Sequence, residues 1–303
     1  MTPRSVVLSA LLISACLFRV AQVAGQDAAI TTDPAPGKDF PAAIQTFQLP
    51  SHGVLLNAFV YVASGAGPHP TVILLHGFPG NERNLDLAQS IRRAGWDVLF
   101  FDYRGSWGTP GDFSFTHCIE DTQSALAYLR DPSTAAKLRS DPKTIVLVGH
   151  SMGGFAALET AALDPAVEAV VTISAADMGA GRLRNVPAGK FDAAVGSVAA
   201  GYASEGMAPL AGTSAEGLAR EIIAHAGEWD FVNLAPKLAT RPLLVVTSDD
   251  GLADSNDAFV AALRRAGNTK VTAIHMPTDH SYSDHRIAMQ QAVLSALEHL
   301  DLK

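Results

Sequence analysis

Gly149-His150-Ser151-Met152-Gly153 is the segment of this chain best suited to chemistry. A serine hydroxyl is a weak nucleophile until a neighbouring base takes its proton, so it must be held exposed beside such a base. Glycines on both sides allow a turn sharp enough for this, because neither flanking residue carries a Cβ that would clash. The segment follows an apolar run that ends at Val148 and precedes a helical pattern opening near Gly154-Phe155-Ala156. Strand, tight turn and helix in that order lift Ser151 Oγ above a sheet and bring helix-start dipoles near a developing oxyanion. An ordinary glycine-rich turn is the plainer reading of the same residues. The placement between strand and helix favours the nucleophile.

The elements that position this serine are legible in the apolar pattern. Thr71–Leu75, Val98–Phe101, Ile145–Val148, Ala169–Ile173, Leu243–Val246 and Val271–Ile274 are short continuous runs, as expected of strands covered on both faces. Helical patterns at Leu85–Ala94, Glu120–Leu129, Phe155–Leu163 and Ala258–Ala266 lie between them. Alternating strands and helices predict an α/β class with a doubly wound, mostly parallel sheet. Ile44–Leu49 and Val54–Val62 alternate instead, around Pro50-Ser51-His52-Gly53, and predict an N-terminal β-hairpin. The longest interval between strands, residues 177–241, is expected to be either a lid or substrate wall or a plain crossover with added helix. No internal repeat is present.

The chain of 303 residues, 48% hydrophobic and 17% charged, suits one large domain over residues 44–303. A formal net charge of −8 argues against a nucleic-acid partner, which calls for a basic surface. Met1-Thr2-Pro3-Arg4 followed by an apolar stretch from Val6 to Val20 predicts a signal peptide over residues 1–25 and export to the periplasm or medium. The stretch is short for a membrane span. Ile13-Ser14-Ala15-Cys16 resembles a bacterial lipobox, so a lipid anchor at Cys16 is the alternative. Residues 26–43 read as a linker. With Cys118 the only other cysteine, removal of the signal leaves no intramolecular disulfide.

His76-Gly77-Phe78, Tyr103-Arg104-Gly105 and the serine motif together resemble the α/β-hydrolases, and the layout is similar to prolyl-oligopeptidase-type catalytic domains and bacterial esterases. The likeness runs from about Ile44 to the C-terminus, with no counterpart of the β-propeller. It implies an oxyanion hole from the backbone N–H groups of Phe78 and Met152, since Pro79 has no N–H. His76 is expected to shape the loop, a general base being the alternative, and Asn81 or Glu82 to form part of the substrate wall. The family's chain order of serine, acid, histidine places the base beyond the last core strand, where Asp279-His280-Ser281 resembles the catalytic-histidine loop. His280 is the expected base. His285 is its competitor, with a capping role as the plainer alternative, and His275 within the strand is structural. The acid belongs after Leu243–Thr247, where Asp249 and Asp250 stand side by side and must point apart. The family's Gly-x-x-Asp register selects Asp250, although Thr247 replaces the glycine. Asp249 and, after the preceding strand, Asp177 remain open. Asp102-Tyr103-Arg104-Gly105 is expected to hold a loop over the sheet.

No H-E-x-x-H and no paired cysteines suggest a metal site, and no G-x-G-x-x-G after the first strand suggests a dinucleotide, so no cofactor is expected. These residues predict a serine hydrolase acting on a small ester through an acyl-enzyme. A small peptidase or acyl-peptide hydrolase is the alternative within the fold, and a catalytically silent binding protein the alternative outside it.

Overall fold

The computed structural model describes residues 28–34, 37–179 and 190–300. The predicted signal segment and Cys16 lie outside these residues. Eight strands form one sheet: β1 (Ala43–Ser51), β2 (Val54–Val62), β3 (His69–Leu75), β4 (Asp97–Phe101), β5 (Ser140–His150), β6 (Ala169–Ile173), β7 (Leu243–Ser248) and β8 (Val271–Met276). Their spatial order is β1-β2-β4-β3-β5-β6-β7-β8. The β1–β2 and β2–β4 pairs are antiparallel and all others parallel. The expected α/β architecture with an N-terminal hairpin is therefore present.

Burial explains why the two kinds of strand read differently. Residues 97–101, 169–173 and 243–248 are buried throughout, while β1 alternates between part-buried and exposed positions over its first six residues. The inner strands feed two cores, one on each face. Ile73, Leu75, Leu99, Leu147 and Val245 pack on one side, and Val72, Leu74, Val98, Val148 and Val246 on the other. The period of two along each strand sends successive side chains to opposite faces, so a run with no polar interruption is required.

The helices are α1 (Leu85–Arg93), α2 (Phe115–Arg130), α3 (Pro132–Leu138), α4 (Met152–Leu163), α5 (Phe191–Ser204), α6 (Ala215–Ala224), α7 (Phe231–Leu234), α8 (Ala253–Arg265) and α9 (Arg286–Glu298). Phe155, Ala157 and Leu158 of α4 join the first core, and Leu87 and Ile91 of α1 join the second with Met289 and Val293 of α9. Helix α2 starts earlier than its apolar pattern because Ser114 Oγ accepts the N–H of His117. Helix α3, unforeseen in the sequence, is started by Asp131, whose carboxylate accepts the N–H groups of Ser133 and Thr134.

The described part of the long interval after β6 is anchored at residues 209–211. Trp107 N–H donates to the Pro209 carbonyl (2.9 Å), Ala211 N–H to Gly105 (2.7 Å) and Phe113 N–H to Ala211 (3.0 Å). Gly105 has φ 65°, and a Cβ there would lie 2.3 Å from Phe113 N, so only glycine fits this crossing. Beneath it, Arg104 donates from its backbone N–H and Nε to buried Asp121 (2.8 and 2.7 Å), which also accepts from Ser51 Oγ at 2.6 Å. The Asp102–Gly105 segment thus holds loops together, as its pattern predicts.

Candidate active site

Ser151 stands between β5 and α4 with φ 56° and ψ −121°, a conformation that costs a non-glycine residue about 1–3 kcal/mol. Its backbone is held from β6: its N–H donates to the Ile173 carbonyl (2.9 Å), and its carbonyl accepts from Ala176 (3.0 Å). The glycines around it are sterically required. A Cβ on Gly149 would lie 2.1 Å from the Gly153 carbonyl oxygen, and one on Gly153 2.1 Å from that of Leu75. Gly77 is pressed against the serine itself, since its Cβ would lie 2.9 Å from Ser151 Cβ. The His76-Gly77-Phe78 loop therefore lies directly against the elbow.

The carboxylates after β7 separate as adjacent residues must. Asp250 Oδ2 accepts from His280 Nδ1 at 2.7 Å, and its Oδ1 accepts the Leu252 N–H at 2.9 Å. Burial alone would raise the Asp250 carboxyl. Hydrogen bonds from His280, Ser174, Leu252 and Ser248 outweigh that and hold it well below the usual carboxylate range. Asp249 turns the other way, to His275 Nε2 at 3.1 Å, and Thr247 Oγ1 donates to His275 Nδ1 at 3.0 Å. Asp177 is buried at the end of β6 and accepts the Gly179 N–H at 2.9 Å. His285 stands at the N-cap of α9, its Nδ1 2.9 Å from Asp284.

Ser151, His280, Gly77 and Phe78 line one cleft of about 230 Å³, with Pro79, Gly80, Asn81, Glu82, His150, Glu205 and Ser281. Met152 is buried at the start of α4. Ser151 Oγ makes no hydrogen bond among the described residues, and His280 Nε2 likewise makes none. Phe78 backs onto an aromatic group, with Tyr202 at 5.0 Å and Phe113 and Phe115 at 5.9 and 6.2 Å between ring centres.

His76 is buried and donates from Nδ1 to the Gly77 carbonyl at 2.8 Å; burial pushes its pKa down to about 4. It stays neutral and shapes the loop. Asp102 is pushed up to about 6 by burial, opposed by Arg83 at 3.2 Å. Three hydroxyls escaped the sequence reading. Ser174 Oγ is 2.9 Å from Ser248 Oγ and 3.0 Å from Tyr282 Oη, all fully buried. Burial pushes Tyr282 up to about 12, so it stays a donor. The available signal was position: Ser174 ends the β6 run, Ser248 precedes Asp250 by two residues, and Tyr282 follows His280 by two.

Residues 72–292 match the profile of the alpha/beta hydrolase family. Among characterised proteins, the chain is 30% identical over 138 residues to a quorum-quenching protein, AidA, of Acinetobacter baumannii, covering 44% of each chain. It is 32% identical over 125 residues to the thiohydrolase apmlB of Arthrinium phaeospermum, covering 40% of this chain and 39% of that one. The match thus spans less than half the length of these relatives. Among solved structures, the thermostable carboxylesterase EstE1 from a metagenomic library superposes with TM-score 0.61 at 20% identity, covering 93% of this chain and 95% of that one. Est1E from Butyrivibrio proteoclasticus with bound ferulic acid gives TM-score 0.60 at 20% identity, covering 85% and 100%.

Proposed function

The chain belongs to the alpha/beta hydrolase family, and on that premise we propose that it is a serine hydrolase of small carboxylic esters, with Ser151 as nucleophile, His280 as base and Asp250 as acid. The observation that carries this reading is the 2.7 Å bond from His280 Nδ1 to buried Asp250, made at the cleft that Ser151 lines. That bond fixes the tautomer in which Nε2 bears the lone pair.

In this reading His280 Nε2 takes the Ser151 proton as Oγ attacks the ester carbonyl, and ionised Asp250 stabilises the imidazolium. The N–H groups of Phe78 and Met152 receive the oxyanion; the contact of Gly77 with Ser151 supports this assignment. The imidazolium returns its proton to the leaving alcohol. A water activated by His280 then releases the acid from the acyl-serine. His76 takes no proton, because its Nδ1–H is engaged and its pKa is near 4.

A cleft of about 230 Å³ is smaller than the roughly 300–1,000 Å³ of drug-sized sites, which favours short-chain or compact aromatic esters. The similar folds of the carboxylesterase EstE1 and of Est1E with ferulic acid bound support the same choice. Export remains a proposal from the first 25 residues. Fluorophosphonate labelling and a panel of nitrophenyl esters and aminoacyl anilides test the reading. Labelling and ester turnover are expected in the wild type, and both are lost in a folded Ser151→Ala variant. Faster anilide cleavage identifies a peptidase, and no labelling at all identifies a silent binding protein.

A further inference from the structure

His150 occupies the variable position of the serine motif, which the nucleophile elbow leaves free to be many residues. Here it does something specific. Its side chain is buried, and its Nε2 lies 2.9 Å from the backbone carbonyl oxygen of His280, 130 residues further along the chain. A carbonyl only accepts, so His150 is the Nε2–H donor. Its ring also lies against the His280 ring, with centres 4.7 Å apart.

We infer that His150 is a positioning residue that clamps the histidine loop to the nucleophile elbow and so sets the approach of His280 to Ser151; this rests on the assignment of those two residues proposed above. The other bonds of that loop hold it elsewhere. Thr278 accepts the Asp249 N–H at 3.0 Å, which ties the loop to the end of β7. Ser281 accepts from Arg286 at 2.9 Å, and Asp279 folds the turn by accepting the N–H groups of Ser281 and Ser283. Tyr282 reaches Ser174 at the end of β6. Among the described residues, His150 supplies the side-chain bond that joins the base's own backbone to the residue next to the nucleophile.

The donor has to be neutral. His280 becomes a cation each time Ser151 gives up its proton, and a second cation packed on its ring would oppose that step. Burial first, then the neighbouring His280, push His150 down to about 4, with Arg286 acting the same way and Asp250 opposing. His150 therefore donates without charge near neutral pH. Its Nδ1 is buried without a partner among the described residues, so the ring is held by one donor bond and one tilted ring contact.

The test measures fluorophosphonate labelling of Ser151, kcat and KM on a nitrophenyl ester, and melting temperature, in His150→Phe and His150→Gln. Phe keeps ring bulk and loses the donor; Gln carries an amide N–H to nearly the Nε2 position. Displacement of a catalytic group by about 1 Å can cost about 100-fold. His150→Phe is expected to slow labelling and kcat by about 10- to 100-fold with KM nearly unchanged, and Gln to restore most of the loss at a similar melting temperature. Wild-type rates in His150→Phe, or equal loss in Phe and Gln, overturn the inference while leaving the assignment of Ser151 intact. Should the Phe variant fail to fold, His150→Gln against the shorter His150→Asn decides, and equal rates in those two overturn the clamp. A wild type that does not label overturns the assignment itself, and the clamp with it.

Discussion

Asp249 and Asp250 are neighbours in sequence, and each faces a histidine across 3.1 and 2.7 Å respectively. By residue type and distance the two pairs are nearly the same. Their surroundings are not. The two histidine side chains are similarly exposed, His275 48% and His280 40%, but the Asp249 side chain is 65% exposed and that of Asp250 only 4%. Water screens the first pair, as in most surface ion pairs, which contribute about 0–1 kcal/mol. The second carboxylate has lost its water and accepts instead from His280 Nδ1 and the Leu252 N–H, with the Ser174 and Ser248 hydroxyls helping to keep it ionised. The histidines differ in a second way. Both nitrogens of His275 are engaged, by Thr247 and Asp249, so it has no lone pair to offer. His280 is bonded on Nδ1 to Asp250, and no bond engages its Nε2 among the described residues. A buried carboxylate and an imidazole with one nitrogen unengaged are what the proposed roles of Asp250 and His280 call for, and the Asp249–His275 pair has neither.

The comparison breaks most sharply at the acids. Asp250→Asn is expected to lower kcat by about 10,000-fold, the cost of the wrong tautomer in a related arrangement. The variant should keep a wild-type circular dichroism spectrum, because Asn fills the same space. Loss of activity in Asp249→Asn with Asp250→Asn active would exchange the two roles.

Next in size is the hydroxyl support of Asp250. Ser174→Ala removes a hydroxyl that helps keep Asp250 ionised, and a fall in kcat of up to about tenfold is expected. The stability that ionised Asp250 supplies is present above the ordinary carboxylate pKa of about 4 and lost as pH falls below it. Ser174→Ala should shrink that contribution, measurable as a smaller fall in melting temperature between pH 3 and pH 1, where the folded carboxylate itself takes up its proton.

Glu159 on α4 shows what a buried carboxylate is without such support. Its Oε1 has no hydrogen-bond partner among the described residues, and burial pushes it up to about 8, with Glu228 adding to the effect. Between about pH 4 and pH 8 the folded state holds a proton that the unfolded chain releases, so this group makes stability fall as pH rises. Glu159→Gln cannot ionise. Its melting temperature relative to wild type should climb by several degrees from pH 5 to pH 8 and then level off. A difference independent of pH would show that Glu159 is ionised in the fold.

The smallest effect belongs to the exposed pair. His275→Gln is expected to leave kcat within about twofold and the melting temperature within about 2 °C. A larger loss of kcat would mean that β8 supports the adjacent loop through this side chain.

Much of this was legible along the chain, because the signals are local. Continuous apolar runs mark strands covered on both faces, alternation marks the hairpin, and the glycines around Ser151 are required by atoms only a few residues away or on the adjacent β3. The loop after β7 narrowed the acid to two neighbours for the same reason. The choice between them, the emptiness of His280 Nε2 and the partners of His150, Ser174 and Tyr282 were decided by tertiary structure. Parallel strands bring together ends that lie far apart in sequence, as in the bonds from His150 to His280 and from Ser174 to Tyr282. A lone histidine or serine carries no mark of such a partner, since its hydrogen-bonding capacity is the same wherever it stands. Burial is the other quantity absent from any local window. Asp249 and Asp250 are the same residue type one position apart, and only the packing of β6, β7 and the histidine loop around one of them made it an acid that stays ionised.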